Sequence, residues 1–209
     1  MYRKYFKRWI DIINSILFIV LLSWLFLIIA ILIKITSKGP IFFKQRRIGS
    51  NKEEFYIIKF RTMKSLAPSD VPTHLLKSPD QYITRIGRYL RKTSLDELPQ
   101  LVNILRGEMS FVGPRPALWN QYDLIAERDK YNANNVKPGL TGWAQVNGRD
   151  EIPIIMKVKY DGEYINKSSL GFDAYCVILT VFCIIGLKGY KEGLVEEENN
   201  YEESSGSWS

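Results

Sequence analysis

The stretch ILFIVLLSWLFLIIAILI, Ile16 to Ile33, decides how the rest of this chain is read. It is eighteen residues long, and Ser23 is its one polar side chain. As a helix rising about 1.5 Å per residue it measures roughly 27 Å, close to the hydrocarbon thickness of a bilayer. A cleaved signal peptide is the poorer reading, because the apolar core exceeds the usual span of about 7–15 residues and no small-x-small site precedes Lys34. An ordinary cytosolic enzyme is thereby excluded. What remains is a membrane protein with a basic soluble domain of about 150 residues.

Both flanks of the apolar run are basic. Arg3, Lys4, Lys7 and Arg8 precede it, and Lys34, Lys38, Lys44, Arg46 and Arg47 follow it. The positive-inside rule therefore picks no orientation for a spanning helix. A segment that enters and returns to the same face would satisfy both flanks, given a break near Ser23-Trp24. A serine hydroxyl there can bond back one turn and bend the helix. From the residues alone, spanning and re-entrant readings both stand, and in either the soluble domain is cytoplasmic.

Charge and rare residues narrow the chemistry. The 209 residues hold 29 Lys and Arg against 22 Asp and Glu, but six of the Glu fall in the last eighteen residues, which have no Lys or Arg. The body is thus 29 against 16, or +13, and expects a polyanion: nucleic acid, anionic lipid or a phosphorylated substrate. A single histidine, His74, argues against Ser-His-Asp triads and His-rich metal sites. Cys176 and Cys183 sit in an apolar run, too far apart along one helix to bridge, and read as core or lipid-facing thiols. Carboxylates, Lys, Arg and a bound metal are the groups left to carry any reaction.

Along the chain, Met1 to about Ile35 reads as one long helix with an amphipathic start, ended by Ser37-Lys38-Gly39-Pro40. Ile41–Arg46 and Phe55–Met63 form a hairpin around Gly49-Ser50-Asn51. Leu66–Pro79 is a loop, and Tyr82–Arg91 alternates at helical spacing with Arg85, Arg88 and Arg91 off its apolar face. Ser94-Leu95-Asp96-Glu97 has the capping-box pattern, opening a helix that ends at Gly107. Gly113-Pro114-Arg115-Pro116 is a rigid loop, Ala117–Tyr131 a helix, Lys137–Gly142 a turn, and Trp143–Asn147 a short extended piece. Ile154–Ile165 and Asp173–Leu187 are helices, the latter too short to span comfortably and placed at the interface or against the first helix. The division is 1–36 membrane segment, 37–190 catalytic domain and 191–209 acidic disordered tail.

Asp96 and Glu97 are the first candidates for chemistry, as nucleophile or as oxygen ligands for Mg²⁺. Position alone does not make them so, since acids in a first helical turn gain about 0.3–1 kcal/mol from the helix dipole. Strand alternation puts Lys59 and Arg61 on one face, able to converge on a phosphate or simply to be solvated. Arg115, fixed between two prolines, is either pre-aimed at a ligand or part of a rigid turn. Gln145, Asn147 and Arg149 lie in a small-residue loop of the kind that reads a nucleotide's base and ribose, although an ordinary polar loop has the same composition.

Taken in order, these segments resemble the small monotopic bacterial phosphoglycosyl transferases, the bacterial sugar transferase family, over roughly Tyr2 to Leu187. The resemblance rests on KFRTM at 59–63, SLDELPQ at 94–100, MSFVGPRP at 109–116 and KPGLTGWAQVNGR at 137–149, four motifs in register after a basic-flanked apolar helix. It implies an enzyme that transfers a sugar-1-phosphate from a UDP-sugar to undecaprenyl phosphate, with Mg²⁺ and release of UMP. Asp96 is then the nucleophile and Glu97 its catalytic neighbour, both near the metal, with Lys59, Arg61, Arg88, Arg115, Gln145, Asn147 and Arg149 binding substrate. The implied fold is α+β and mostly helical: a re-entrant membrane helix, a small β-hairpin and several amphipathic interfacial helices around the active site. Arg8, Ser23 and Trp24 are its membrane residues, although Trp24 stands where this family usually has proline. Losing that proline removes a steric penalty of about 3 kcal/mol against a straight helix. The implied location is the cytoplasmic face of a bacterial inner membrane. An N-acetylated hexosamine or diacetamido sugar is the expected donor. Downstream glycosyltransferases and a second copy of the chain are further candidate partners, and no nucleic acid is expected. A membrane-tethered nucleic-acid binder or an anionic-lipid scaffold would explain the charge alone, but leaves Asp96, Glu97 and Arg115 idle.

Overall fold

The computed structural model describes residues 2–64, 66–67, 79–148 and 152–186. His74, Arg149 and the acidic tail lie outside them.

The apolar run forms a bent pair of helices, α1 (Lys7–Leu21) and α2 (Ser23–Thr36), rather than the single helix expected; a short π-helical stretch, Tyr2–Phe6, precedes them. The two axes differ by 62° across Leu22, whose φ of −99° and ψ of 7° leave the helical region. No proline is needed. Ser23 Oγ donates to the Val20 carbonyl at 2.9 Å, and the rings of Phe18 and Phe26 pack on Phe111 and Phe60 of the body, one from each limb. Hydroxyl back-bonding weakens the ladder, and the packing of both limbs sets the angle.

The outer ends of the pair are tied to the same body. Arg8 donates to the Ile104 and Leu105 carbonyls at 2.5 and 2.7 Å, closing the C-terminus of α4 (Gln100–Arg106). Lys7 and Tyr2 reach Asp173 on α8 (Leu170–Ile184). At the other end Ile29 and Ile33 are buried with Phe60 and Leu90. Leu17, Val20, Leu21, Trp24, Leu27 and Ile31 stay exposed.

Strands β1 (Phe42–Ile48) and β2 (Glu54–Phe60) form the expected antiparallel hairpin, with Arg47 opposite Phe55, Gln45 opposite Ile57 and Phe43 opposite Lys59. Directly opposed residues share a face. Phe55 and Ile57 therefore sink into the core against Leu101, Ile104 and Met109, while Lys59 leaves the same face at the strand's end. Strand β2 stops at Phe60, short of Met63, which bridges Ile83 instead. Helix α3 (Arg85–Lys92) follows, with Thr84 accepting from the Gly87 amide at 3.0 Å.

Three sequence readings are corrected beyond this point. Ala117–Leu118 is a strand, β4, paired to the free edge of β1, and the helix expected from Ala117 shrinks to α5 (Tyr122–Asp129). Pairing with an open edge outweighs the helix preference of Ala and Leu. Lys137–Gly142 is not only a turn, because β5 (Gly139–Thr141) runs parallel to β3 (Ser110–Val112). Trp143–Val146 is a single helical turn, α6, because Trp143 is drawn among the rings of Tyr160, Phe172 and Tyr175 and donates to Glu163 at 3.0 Å. Helix α7 (Ile154–Lys167) completes the body.

Candidate active site

The segment between α3 and α4 departs from its predicted form at the residues that matter most. Ser94 does not cap a helix; it sits in the left-handed region at φ 56°, and Leu95–Glu97 is a 3₁₀ turn. The helix proper begins after Pro99. A non-glycine residue held there is strained, and such strain persists where surrounding structure fixes it. The turn buries Asp96 to 7% exposure and leaves Glu97 partly exposed beside it.

Three other elements converge on this turn. Lys59, at the end of β2, donates to Glu97 Oε1 at 2.6 Å. Arg115, from the loop between β3 and β4, brings its guanidinium to 3.9 Å from the same oxygen. That loop is held by close backbone contact. A Cβ on Gly139 would lie 2.2 Å from the Gly113 nitrogen, and one on Gly142 would lie 2.0 Å from the Gly113 oxygen, so only glycine allows the approach. Hydrogen bonds from Gly113 N to Thr141 O and from Gly139 N to Pro114 O, each 2.9 Å, use it. From β1, Arg47 donates to the Pro116 carbonyl at 2.9 Å while Gln45 Oε1 holds its other nitrogens at 3.1 and 2.6 Å. Arg47, Lys59, Glu97, Gln100, Arg115, Gly139 and Leu140 line one crevice.

Burial pushes the Asp96 carboxyl up to about 6; the Lys59 ammonium and Arg91 pull it down, and the Glu97 charge pushes it further up. Near neutral pH it is mostly ionised yet poorly solvated, which suits a nucleophile. The pair also offers two hard oxygen donors. Magnesium is held by one or two carboxylates plus substrate phosphates, so this donor set fits a Mg²⁺ shared with a phosphorylated substrate. Among the described residues no group of three or more His, Cys, Asp or Glu could hold a metal by itself.

The remaining sequence candidates fall elsewhere. Arg61 is buried and donates to Ser37 and Lys38 just after α2, at 2.7–3.0 Å, so it fastens the bent helix pair to the hairpin. Arg88 is exposed on α3. The Gln145 amide donates to the Leu140 carbonyl at 3.0 Å and so braces the crevice wall, and Asn147 bonds its own helical turn at Trp143, at 2.8 Å. Arg8 caps α4, and Trp24 is 61% exposed beside the bend. Sequence reading missed Arg91 and Gln100 as site residues and saw Arg47 only as one of the hairpin's basic residues. Strand register is what puts Arg47 on the face of Lys59.

The profile of the bacterial sugar transferase family matches residues 2–186. The chain belongs to that family. Within the family it is 42% identical over 184 residues to the UDP-glucose:undecaprenyl-phosphate glucose-1-phosphate transferase of Escherichia coli strain K12, covering 84% of this chain and 39% of that one. It is 36% identical to the exopolysaccharide production protein ExoY of Rhizobium meliloti, over 84% of this chain and 83% of that one. It is also 36% identical to the UDP-N-acetylgalactosamine-undecaprenyl-phosphate N-acetylgalactosaminephosphotransferase of Aeromonas hydrophila, over 87% and 44% respectively. The chain spans about two-fifths of the length of the first of these sugar transferases, whereas ExoY is matched over most of its length.

Proposed function

We propose that this bacterial sugar transferase moves a sugar-1-phosphate from a UDP-sugar to undecaprenyl phosphate. The observation that carries the reading is Asp96, a buried carboxylate in a strained turn beside a crevice where Lys59 and Arg115 converge. An Asp96 oxygen attacks the sugar-bearing phosphorus, and the bond from that phosphorus to the bridging oxygen breaks, releasing UMP. A phosphate oxygen of the lipid then attacks the aspartyl phosphate, and the acyl-phosphate P–O bond breaks to regenerate the carboxylate. Lys59 and Arg115 neutralise the diphosphate, and Glu97, anchored by Lys59, keeps both cations in place. Mg²⁺ bound by Asp96 and Glu97 would supply further charge neutralisation of the leaving phosphate.

The bent helix pair supports a re-entrant reading of the membrane segment. A spanning pair would put its ends on opposite sides, but Arg8 and Lys7 at one end and Ser37 and Lys38 at the other hold one body. Limbs of about 21 Å, lying symmetrically about 59° from the membrane normal, would reach only about 11 Å deep, less than one leaflet. The basic body would then sit at the cytoplasmic face. The relatives named for glucose and for N-acetylgalactosamine set the donor panel, alongside the N-acetylated and diacetamido sugars that the likeness to the small family members suggests.

The test is lipid-dependent UMP release by detergent-purified protein with Mg²⁺, undecaprenyl phosphate and that panel. Release from the wild type, lost in Asp96→Asn, is expected and names the sugar. Release that persists in the variant would remove Asp96 from the reaction, and silence with every donor would remove the function.

A further inference from the structure

Among the described residues the buried asparagine side chains are satisfied, and of the buried glutamines Gln145 lacks only an acceptor contact at Oε1 while its Nε2 donates to Leu140 O. Asn103 donates to Tyr56 O and Glu108 Oε2 at 2.8 and 2.7 Å and accepts from the Ile58 amide at 3.0 Å. Asn134 donates to Ile125 O and Asp129 Oδ1, at 2.8 and 2.7 Å. Gln100 is different. Its side chain is buried to 2% exposure, and among the described residues its Nε2 has no hydrogen-bond partner. A buried amide N–H without a partner is rare in native proteins and calls for a reason.

The reason lies in its surroundings. Gln100 opens α4 three residues after Glu97, and it lines the crevice together with Lys59, Glu97 and Arg115. The lining cations already share Glu97, and Arg47 is engaged by Gln45 and Pro116. The amide therefore adds a neutral donor in a cationic site, where an anionic oxygen is the complementary ligand. We propose that Gln100 is a substrate-binding residue whose amide donates to a phosphate oxygen of the sugar nucleotide, an inference that rests on the transferase reading. The hydrogen bond forms only when substrate enters. An N–H bonded to an ionised oxygen is stronger than a neutral pair, so its loss weakens binding by about tenfold or more.

Gln100→Met, close in shape but with no donor, is the test, using the full chain in detergent. The wild type binds UDP by calorimetry and shows a measurable KM for its donor. Gln100→Met is expected to keep the wild-type thermal midpoint and the KM for undecaprenyl phosphate, while the UDP Kd and the donor KM rise about tenfold or more. Wild-type values for both would overturn the proposal. Should Gln100→Met melt early, Gln100→Glu keeps the shape and sets a carboxylate against the phosphates, with a still larger loss of UDP binding expected. Early melting in both variants would also overturn it, because the amide would then serve packing alone. A wild type that binds neither UDP nor any UDP-sugar would instead overturn the transferase reading beneath it.

Discussion

Asp161 on α7 and Asp96 in the turn before α4 are both buried aspartates, and burial is the largest cause raising both carboxyls. Asp161 receives a full partner: the Arg128 side chain of α5 reaches its Oδ2 through two nitrogens, at 2.8 and 2.7 Å. Among the described residues no side chain hydrogen-bonds Asp96. Lys59, which could, is spent on Glu97. One carboxylate is neutralised as part of the scaffold, while the other is buried without such a partner next to Glu97, which lines the crevice. On the proposed reaction this difference is what would separate a structural acid from a reactive one, although the residue type and the depth of burial are similar.

The sharpest way to break this comparison is to neutralise each acid in turn. Asp96→Asn should cut UMP release by about three orders of magnitude or more, while the thermal midpoint in detergent rises, because a costly buried charge has gone. Asp161→Asn should do the reverse. It leaves the Arg128 guanidinium buried without its counter-charge, and about 3–5 kcal/mol of stability should be lost in denaturant titration, with normal turnover in the fraction that remains folded. Matching stability losses in the two variants would erase the distinction.

A smaller effect tests the frame that aims Arg115. Gly139→Ala introduces a Cβ 2.2 Å from the Gly113 nitrogen and the Thr141 oxygen, so β3 and β5 must part. About 1–3 kcal/mol of stability and about tenfold in turnover should go together, read by melting and by UMP release. A silent Gly139→Ala would mean that the Pro114–Pro116 loop is positioned by Arg47 instead.

The finest test is pH. The folded carboxyl of Asp96 titrates near 6, above its unfolded value, so between about pH 4 and 6 the folded state binds more protons than the unfolded one. Its contribution to stability is therefore present at low pH and fades as pH rises through that window, while the ionised nucleophile and the rate appear. Turnover should climb through about pH 6 and level off. Lys59→Met removes a cation that lowers the Asp96 carboxyl, so the rise should move to higher pH at a lower plateau. An unmoved midpoint would show that another group controls the rate.

Much of this was legible along the chain. The apolar run, the hairpin and its turn, the Gly107 stop and the acidic pair are local patterns, each set by neighbours a few residues away. Lys59, Glu97 and Arg115 stand out by residue type and motif, although their meeting depends on the fold. What escaped were features made by distant partners. Strand β4 exists because β1 has an open edge, and Arg61 turned out to fasten Ser37 rather than join Lys59, because β2 ends at Phe60. Ser94 reads as a cap by pattern, yet its left-handed backbone leaves the capping bond unmade.

Composition and spacing are enough to show a basic body hung on an apolar helix with a weak point at Ser23, and chemistry left to carboxylates and cations. How far the helix bends, which cations meet Glu97 and which buried acid has no side-chain hydrogen bond among the described residues all depend on packing between distant segments. Local patterns follow from backbone geometry and the spacing of side chains. Desolvation, by contrast, depends on what the rest of the chain packs around a charge, and that packing made Asp96 different from Asp161.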